Sequence, residues 1–212
     1  MNPDNQTKRV AILGGGYAGM AAAVELAAAG VAVTVFEAGR VLGGRARGVT
    51  LDGRALDNGQ HLIIGAYREL LRLMQRVGLD AESLFLRQAL QLVVEPGFRL
   101  RCPALPAPLH LVAGLLSASG LGLRARWRLI RAVQSARAAN WKLVQDCTVA
   151  DWLASQAQPA GLIARFWQPL TVAALNTPIE KASAQVLLNV LRDSLGGTRA
   201  ASDLLFPTVD FS

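Results

Sequence analysis

Short apolar runs alternate with glycine along the first third of the chain, and helical spacing dominates the rest. Val10 to Leu13 is apolar, preceded by Lys8-Arg9 and ended by glycine, the pattern of a buried parallel strand. Met20 to Ala29 is alanine-rich and stopped by Gly30, which predicts a helix, and Val31 to Phe36 predicts a second strand. Tyr67 to Val77 carries Leu70, Leu71, Met74 and Val77 at helical spacing. The run "LQLVVEPGFRLRCP" predicts two strands, Leu90–Val94 and Phe98–Arg101, around a Pro-Gly turn. Residues 108–118 predict an apolar helix, and prolines and glycines around it break the stretch of about 20 apolar residues that a spanning helix needs. Shorter helices are expected over Asp151–Ala157 and Leu162–Leu170. A longer one is expected over Ala182–Leu195, with Ala184, Leu187, Leu188 and Leu191 on one face. Trp152, Phe166 and Trp167 read as helix-packing residues rather than a substrate box.

Composition sharpens this picture in one place. The chain has 212 residues, 52% hydrophobic, with a formal net charge of +7. That charge is local. No acidic residue lies between Glu95 and Asp146, while Arg99, Arg101, Arg124, Arg126, Arg128, Arg131, Arg137 and Lys142 do. Segment 124–142 predicts a basic amphipathic helix, with Trp127, Ile130, Val133 and Ala136 sharing one side and Arg124, Arg128 and Arg131 another. Such a helix suits an anionic membrane surface, and equally a solvated face over a protein core. The arginines are not interleaved with aromatic platforms, so nucleic acid is not an expected partner. Two cysteines, with no ligand spacing to either histidine, argue against a metal site and fit a reducing cytosol. Glu25 interrupts the first apolar run, which therefore does not read as a secretory signal.

The chemistry gathers at the start. Gly14, Gly16 and Gly19 form GxGxxG between strand and helix, and Glu37 closes the second strand. In such a unit the first glycine permits the turn, the second lets backbone approach a pyrophosphate, and the third lets helix and strand pack closely. The helix N-terminus offers N–H groups to phosphate, and the acid accepts from adenosine ribose hydroxyls, which disfavours a 2′-phosphate. A dinucleotide site follows, within a Rossmann-like βαβ start of an α/β fold. A plain nicotinamide enzyme has no need of the next motif, Gly43-Gly44-Arg45, whose bare backbone and arginine also suit a phosphate.

GxGxxG, an acid and then "GGR" resembles the N-terminal signature of the FAD-dependent amine oxidase and phytoene desaturase superfamily. The resemblance implies FAD rather than NAD, with Gly43, Gly44 and Arg45 along the diphosphate and Gly59 leading towards the flavin ring. Within it, "ALDNGQHLIIGAYRELLRLMQRVG" (55–78) and "LNTPIEKASAQVLLNVLRDSLGG" (175–197) are similar to the hydroxysqualene dehydroxylases, the squalene-associated FAD-dependent desaturases. That implies a C30 isoprenoid substrate, reductive dehydroxylation of hydroxysqualene to squalene for hopanoid synthesis, and a place on the cytoplasmic face of a membrane beside other squalene-pathway enzymes. Carotenoid desaturation, amine oxidation and a non-catalytic nucleotide-binding fragment stay open. Gln60 and His61 are flavin-proximal candidates, His61 as readily a core histidine, and no catalytic acid or base can be named.

The boundary between a nucleotide-binding part (1–84) and a mostly helical, substrate- and membrane-facing part carrying the hairpin (85–212) is expected near residue 85. Two strands cannot complete a doubly wound sheet, so the chain reads as the N-terminal part of a protein roughly twice as long.

Overall fold

A computed structural model describes residues 8–46, 48–57, 59, 61–95 and 97–209. The chain divides into two compact units. Residues up to 63, 67–87 and from 205 onward make the first; residues 64–66 and 88–204 make the second. The end of the chain thus returns to the first unit, which a linear division near residue 85 does not include.

In the first unit, β1 (Arg9–Leu13), α1 (Tyr17–Ala28) and β2 (Ala32–Phe36) form a parallel βαβ unit, with Arg9 opposite Ala32 and Leu13 opposite Phe36. An antiparallel hairpin follows, β3 (Gly48–Leu51) and β4 (Arg54–Asp57). Asp52 and Gly53 turn it with φ of 49° and 75°, the twist that a two-residue hairpin turn wants. Sequence reasoning passed over this element although its Asp-Gly signal is standard. Then come β5 (Ile63–Ile64), α2 (Arg68–Arg76), α3 (Ala81–Leu84) and β6 (Phe85–Gln88). Glu25 of α1 meets Arg72, at 3.0 Å, and Arg76 of α2, an ion-paired strap between two exposed helix faces. The buried core here is small: Ile63, Met74, Phe85 and Leu205. Beside it an apolar cavity of about 380 Å³ opens between Met20 and Val24 of α1 and Leu73 and Val77 of α2.

The second unit begins with the hairpin β7 (Gln91–Val94) and β8 (Phe98–Arg101), the register running from Gln91 opposite Arg101 to Val94 opposite Phe98. Helices α4 (Leu109–Ser117), α5 (Leu123–Ala138) and α6 (Val149–Ser155) follow. The expected helix over 162–170 is longer: α7 (Ala160–Leu162), a π-helical turn (Ile163–Trp167) and α8 (Gln168–Leu175) run on without a break. Trp167 stacks edge-on against Trp152 at 5.6 Å and Phe166 at 5.1 Å, and Phe166 meets Phe98 at 6.2 Å. The Trp167 indole N–H donates to Gln158 Oε1 at 2.9 Å, so its one polar atom is satisfied.

Helix α9 (Ala184–Leu195) buries Ala184, Leu187, Leu188 and Leu191, the face its spacing predicts. Its N-cap Ser183 accepts from Val186 N and donates to Asp146, whose carboxyl this hydrogen bond holds below the usual range. Thr148 caps α6 in the same way, accepting from Asp151 N and donating to its carboxylate. A bridge between Thr148 and Ser183 ties the two caps together.

For α5 the expected faces need correcting. Its buried stripe is Leu129, Ala132 and Ala136, whereas Trp127 is 68% exposed and points away from the core. The tryptophan lies on the arginine side because the helix turns Leu129 and two alanines, not its largest residue, towards the close-packed interior. A 3₁₀ turn (Arg199–Ser202) leads into β9 (Leu204–Pro207), the middle strand of a three-stranded sheet of order β5-β9-β6.

Candidate functional site

The two glycine motifs meet. Gly14, at φ +100°, donates its N–H to the Phe36 carbonyl at 2.7 Å, which locks the turn after β1 onto the end of β2. Gly19 lies where helix α1 crosses that turn, and a Cβ there would run into the Gly14 carbonyl oxygen. Only glycine lets helix and strand approach so closely. From the other side, Gly43 N–H donates to the Gly15 carbonyl at 3.0 Å, and Gly16 and Gly43 form a parallel bridge. Gly44 has φ +63°, and a Cβ on it would stand 3.1 Å from the Gly16 Cα. The second pair is therefore glycine for two reasons, its left-handed backbone and its contact with the first motif's backbone.

Glu37 binds the two loops. Its Oε2 accepts from Gly15 N at 2.6 Å and its Oε1 from Gly39 N at 2.7 Å. Charge-assisted bonds to backbone N–H groups hold the carboxylate at the carboxyl end of β2. Leu42 covers Gly15 closely enough that a Cβ on Gly15 would overlap its Cδ2. Gly15, Gly39 and Leu42 were not singled out from sequence; the run of three glycines at 14–16 was the only trace of them. Helix α1 starts at Gly16, which has no side chain of its own to cap the helix.

Of the other residues singled out from sequence, Arg45 is exposed directly after the glycine pair. Gly59 stands in an exposed bend after β4, with open space around it. His61 is half-buried just ahead of β5. Gln60 lies outside the described residues. The structure therefore brings Gly14, Gly16, Gly19, Glu37, Gly43 and Gly44 into one place. Among the described residues no three His, Cys, Asp or Glu side chains gather as metal ligands do.

A bare two-loop backbone, an uncapped helix start and a fixed carboxylate are the parts of a dinucleotide site at the carboxyl ends of parallel strands. The chain belongs to the flavin containing amine oxidoreductase family, whose profile matches residues 17–198. FAD is the cofactor of that family, and the residues present fit it: the Gly16 and Gly44 backbones meet without side chains beside the start of α1, as a loop that carries a diphosphate requires.

A zeta-carotene desaturase from Zea mays is 28% identical over 93% of this chain and 37% of its own length. One from Synechocystis is 29% identical over 91% of this chain and 42% of its own. The chain thus spans about two-fifths of the length of these curated relatives. An oxidoreductase from Methanosarcina mazei shares the fold, with a TM-score of 0.65 at 16% identity over 94% of this chain and 45% of that one.

Proposed function

We propose that this chain supplies the FAD diphosphate site and part of the substrate side of an oxidoreductase acting on a long isoprenoid, and that its reaction is the reductive dehydroxylation of hydroxysqualene to squalene. The observation that carries the cofactor half is the backbone contact of Gly16 with Gly43 and Gly44. The substrate half is supported by the likeness of residues 55–78 and 175–197 to hydroxysqualene dehydroxylases.

The roles follow from the geometry. The N–H groups at the start of α1 and the bare backbone at Gly16 and Gly44 hold the diphosphate. Arg45, exposed beside them, adds a cation to the phosphate oxygens. Glu37 accepts from the adenosine ribose hydroxyls, its orientation set by Gly15 and Gly39. When bound, FAD supplies hydride exchange with the substrate, and the protein contributes position and surroundings. His61 is given no acid or base role.

The likeness to zeta-carotene desaturases favours a second reading, desaturation of a carotenoid, with the flavin running in the oxidising direction. The test is to give the full-length protein hydroxysqualene with reduced FAD, and a carotene with oxidised FAD, and to follow products by mass spectrometry. Squalene supports the first reading; a newly desaturated carotene replaces it with the second. A protein that retains FAD and turns over neither leaves a nucleotide-binding module, and one that retains no flavin overturns the site itself.

A further inference from the structure

Helices α4 and α5 of the second unit carry apolar residues that the fold does not use. On α4, His110 and Gly114 are buried, and Leu111 and Leu115 pack against the core. Leu109, Val112 and Leu116 occupy the opposite face at helical spacing, and Leu109 and Leu116 are 57% and 55% exposed. On α5, Leu123 and Trp127, one helical turn apart, are 77% and 68% exposed. Arg126 joins the two sets. Its guanidinium donates to the carbonyls of Leu116, Ala118 and Leu121, fastening the end of α4 to the start of α5. Leu116 on α4 and Leu123 and Trp127 on α5 are thus held on adjoining helix ends, and Leu109 and Val112 continue the same face along α4.

Charge says what covers them. Arg124, Trp127 and Arg131 are spaced i, i+3 and i+7, and both arginines are exposed. Among the described residues neither makes an ion pair, and the chain from 96 to 145 offers them no acid. A second copy of the chain, paired face to face, would set these cations against one another. An apolar ridge with tryptophan at its margin and unpaired arginines beside it fits a surface that is apolar inside and anionic at its rim. No helix among the described residues is long and apolar enough to cross a bilayer, so such an element lies along the surface.

We propose that the outer faces of α4 and α5 dock on an anionic lipid bilayer. Leu109, Val112, Leu116, Leu123 and Trp127 enter the acyl boundary, and Arg124 and Arg131 meet lipid phosphates. This inference rests on the second unit alone and stands whatever the substrate. It also gives the basic segment a use in drawing an insoluble molecule from its solvent.

The experiment is flotation of the full chain with vesicles of phosphatidylcholine, with or without phosphatidylglycerol. The expected result is flotation with the anionic vesicles only, reversed by salt. Arg124→Gln/Arg131→Gln should weaken it roughly tenfold or more, at about 1 kcal/mol per basic residue. Leu116→Ser/Trp127→Ser should weaken it comparably, and since all four positions are exposed, the thermal melts of the variants should match the parent. A blue shift of tryptophan emission on vesicle binding should disappear in Trp127→Phe. No flotation, flotation unchanged in both double variants, or a lipid-free dimer dispersed by the same substitutions would each overturn the proposal.

Discussion

The two units reach order by different means. The second closes a core of twenty buried residues around Trp152, Trp167 and the inner face of α9. Among the described residues the first buries four in its cluster, leaves α1 with no buried residue, and exposes Leu13 and Phe36 on its parallel strands by 85% and 55%. Parallel strands are ordinarily covered on both faces. What holds the first unit's site together is backbone: glycines without side chains, N–H groups meeting carbonyls, and one glutamate spanning two loops. Precision at a binding site and depth of core are separable properties. Here each belongs mainly to one unit.

The strongest way to break this contrast is to cut into each unit equally. Trp167→Ala in the second should cost about 3–5 kcal/mol in urea unfolding, because it leaves a cavity where two aromatic contacts were. Phe36→Ser in the first should change stability by only about 0.5 kcal/mol, as at other exposed positions. Comparable losses would mean that the first unit has a core as demanding as the second's.

Next in size is the effect on cofactor. Gly44→Ala forces a side chain into a left-handed backbone and against Gly16, a strain of about 1–2 kcal/mol. FAD retention, read by flavin absorbance of the purified protein, should fall roughly tenfold, while the unfolding of the second unit should not move. A variant that binds FAD as the parent does would remove the second glycine pair from the site.

A smaller effect separates the units by pH. His110 is buried in the second unit, its Nε2 3.0 Å from the Ser202 hydroxyl. Burial pushes its imidazole below the ordinary value near 6.5. The unfolded chain therefore binds the proton more readily than the folded one. The contribution of neutral His110 is full above that value and is lost as pH falls below it. Thermal melts should decline on acidification through that window, and less so in His110→Gln. An identical decline in both would place its cause elsewhere.

The smallest effect sharpens the comparison at thiols. Cys102, buried with its thiol pushed up to about 11, should react with a thiol reagent far more slowly than exposed Cys147. Equal rates would mean that the second unit opens readily.

Much of this was legible in the chain. GxGxxG, Glu37 and the second glycine pair were read from residue types alone, since only glycine serves at a left-handed turn or a backbone contact. The inner face of α9 was read from its spacing. The Asp52-Gly53 hairpin was legible and overlooked. Other features were not there to be read. The same helical spacing that placed Trp127 with Val133 and Ala136 fits two orientations of α5, and burial in the second unit's core selected Leu129, Ala132 and Ala136. Strand β9 joins partners more than a hundred residues earlier in the chain, and no local pattern at 204–207 names them.

The sequence by itself determined the turn, its glutamate and the helical faces, because each depends on the stereochemistry of residues that are neighbours in the chain. Only the tertiary structure decided that the two glycine motifs abut, that α5 turns Leu129, Ala132 and Ala136 inward, and that its tryptophan and arginines share one open face. Those outcomes depend on which distant surfaces pack most closely, and burial is settled between segments rather than within them.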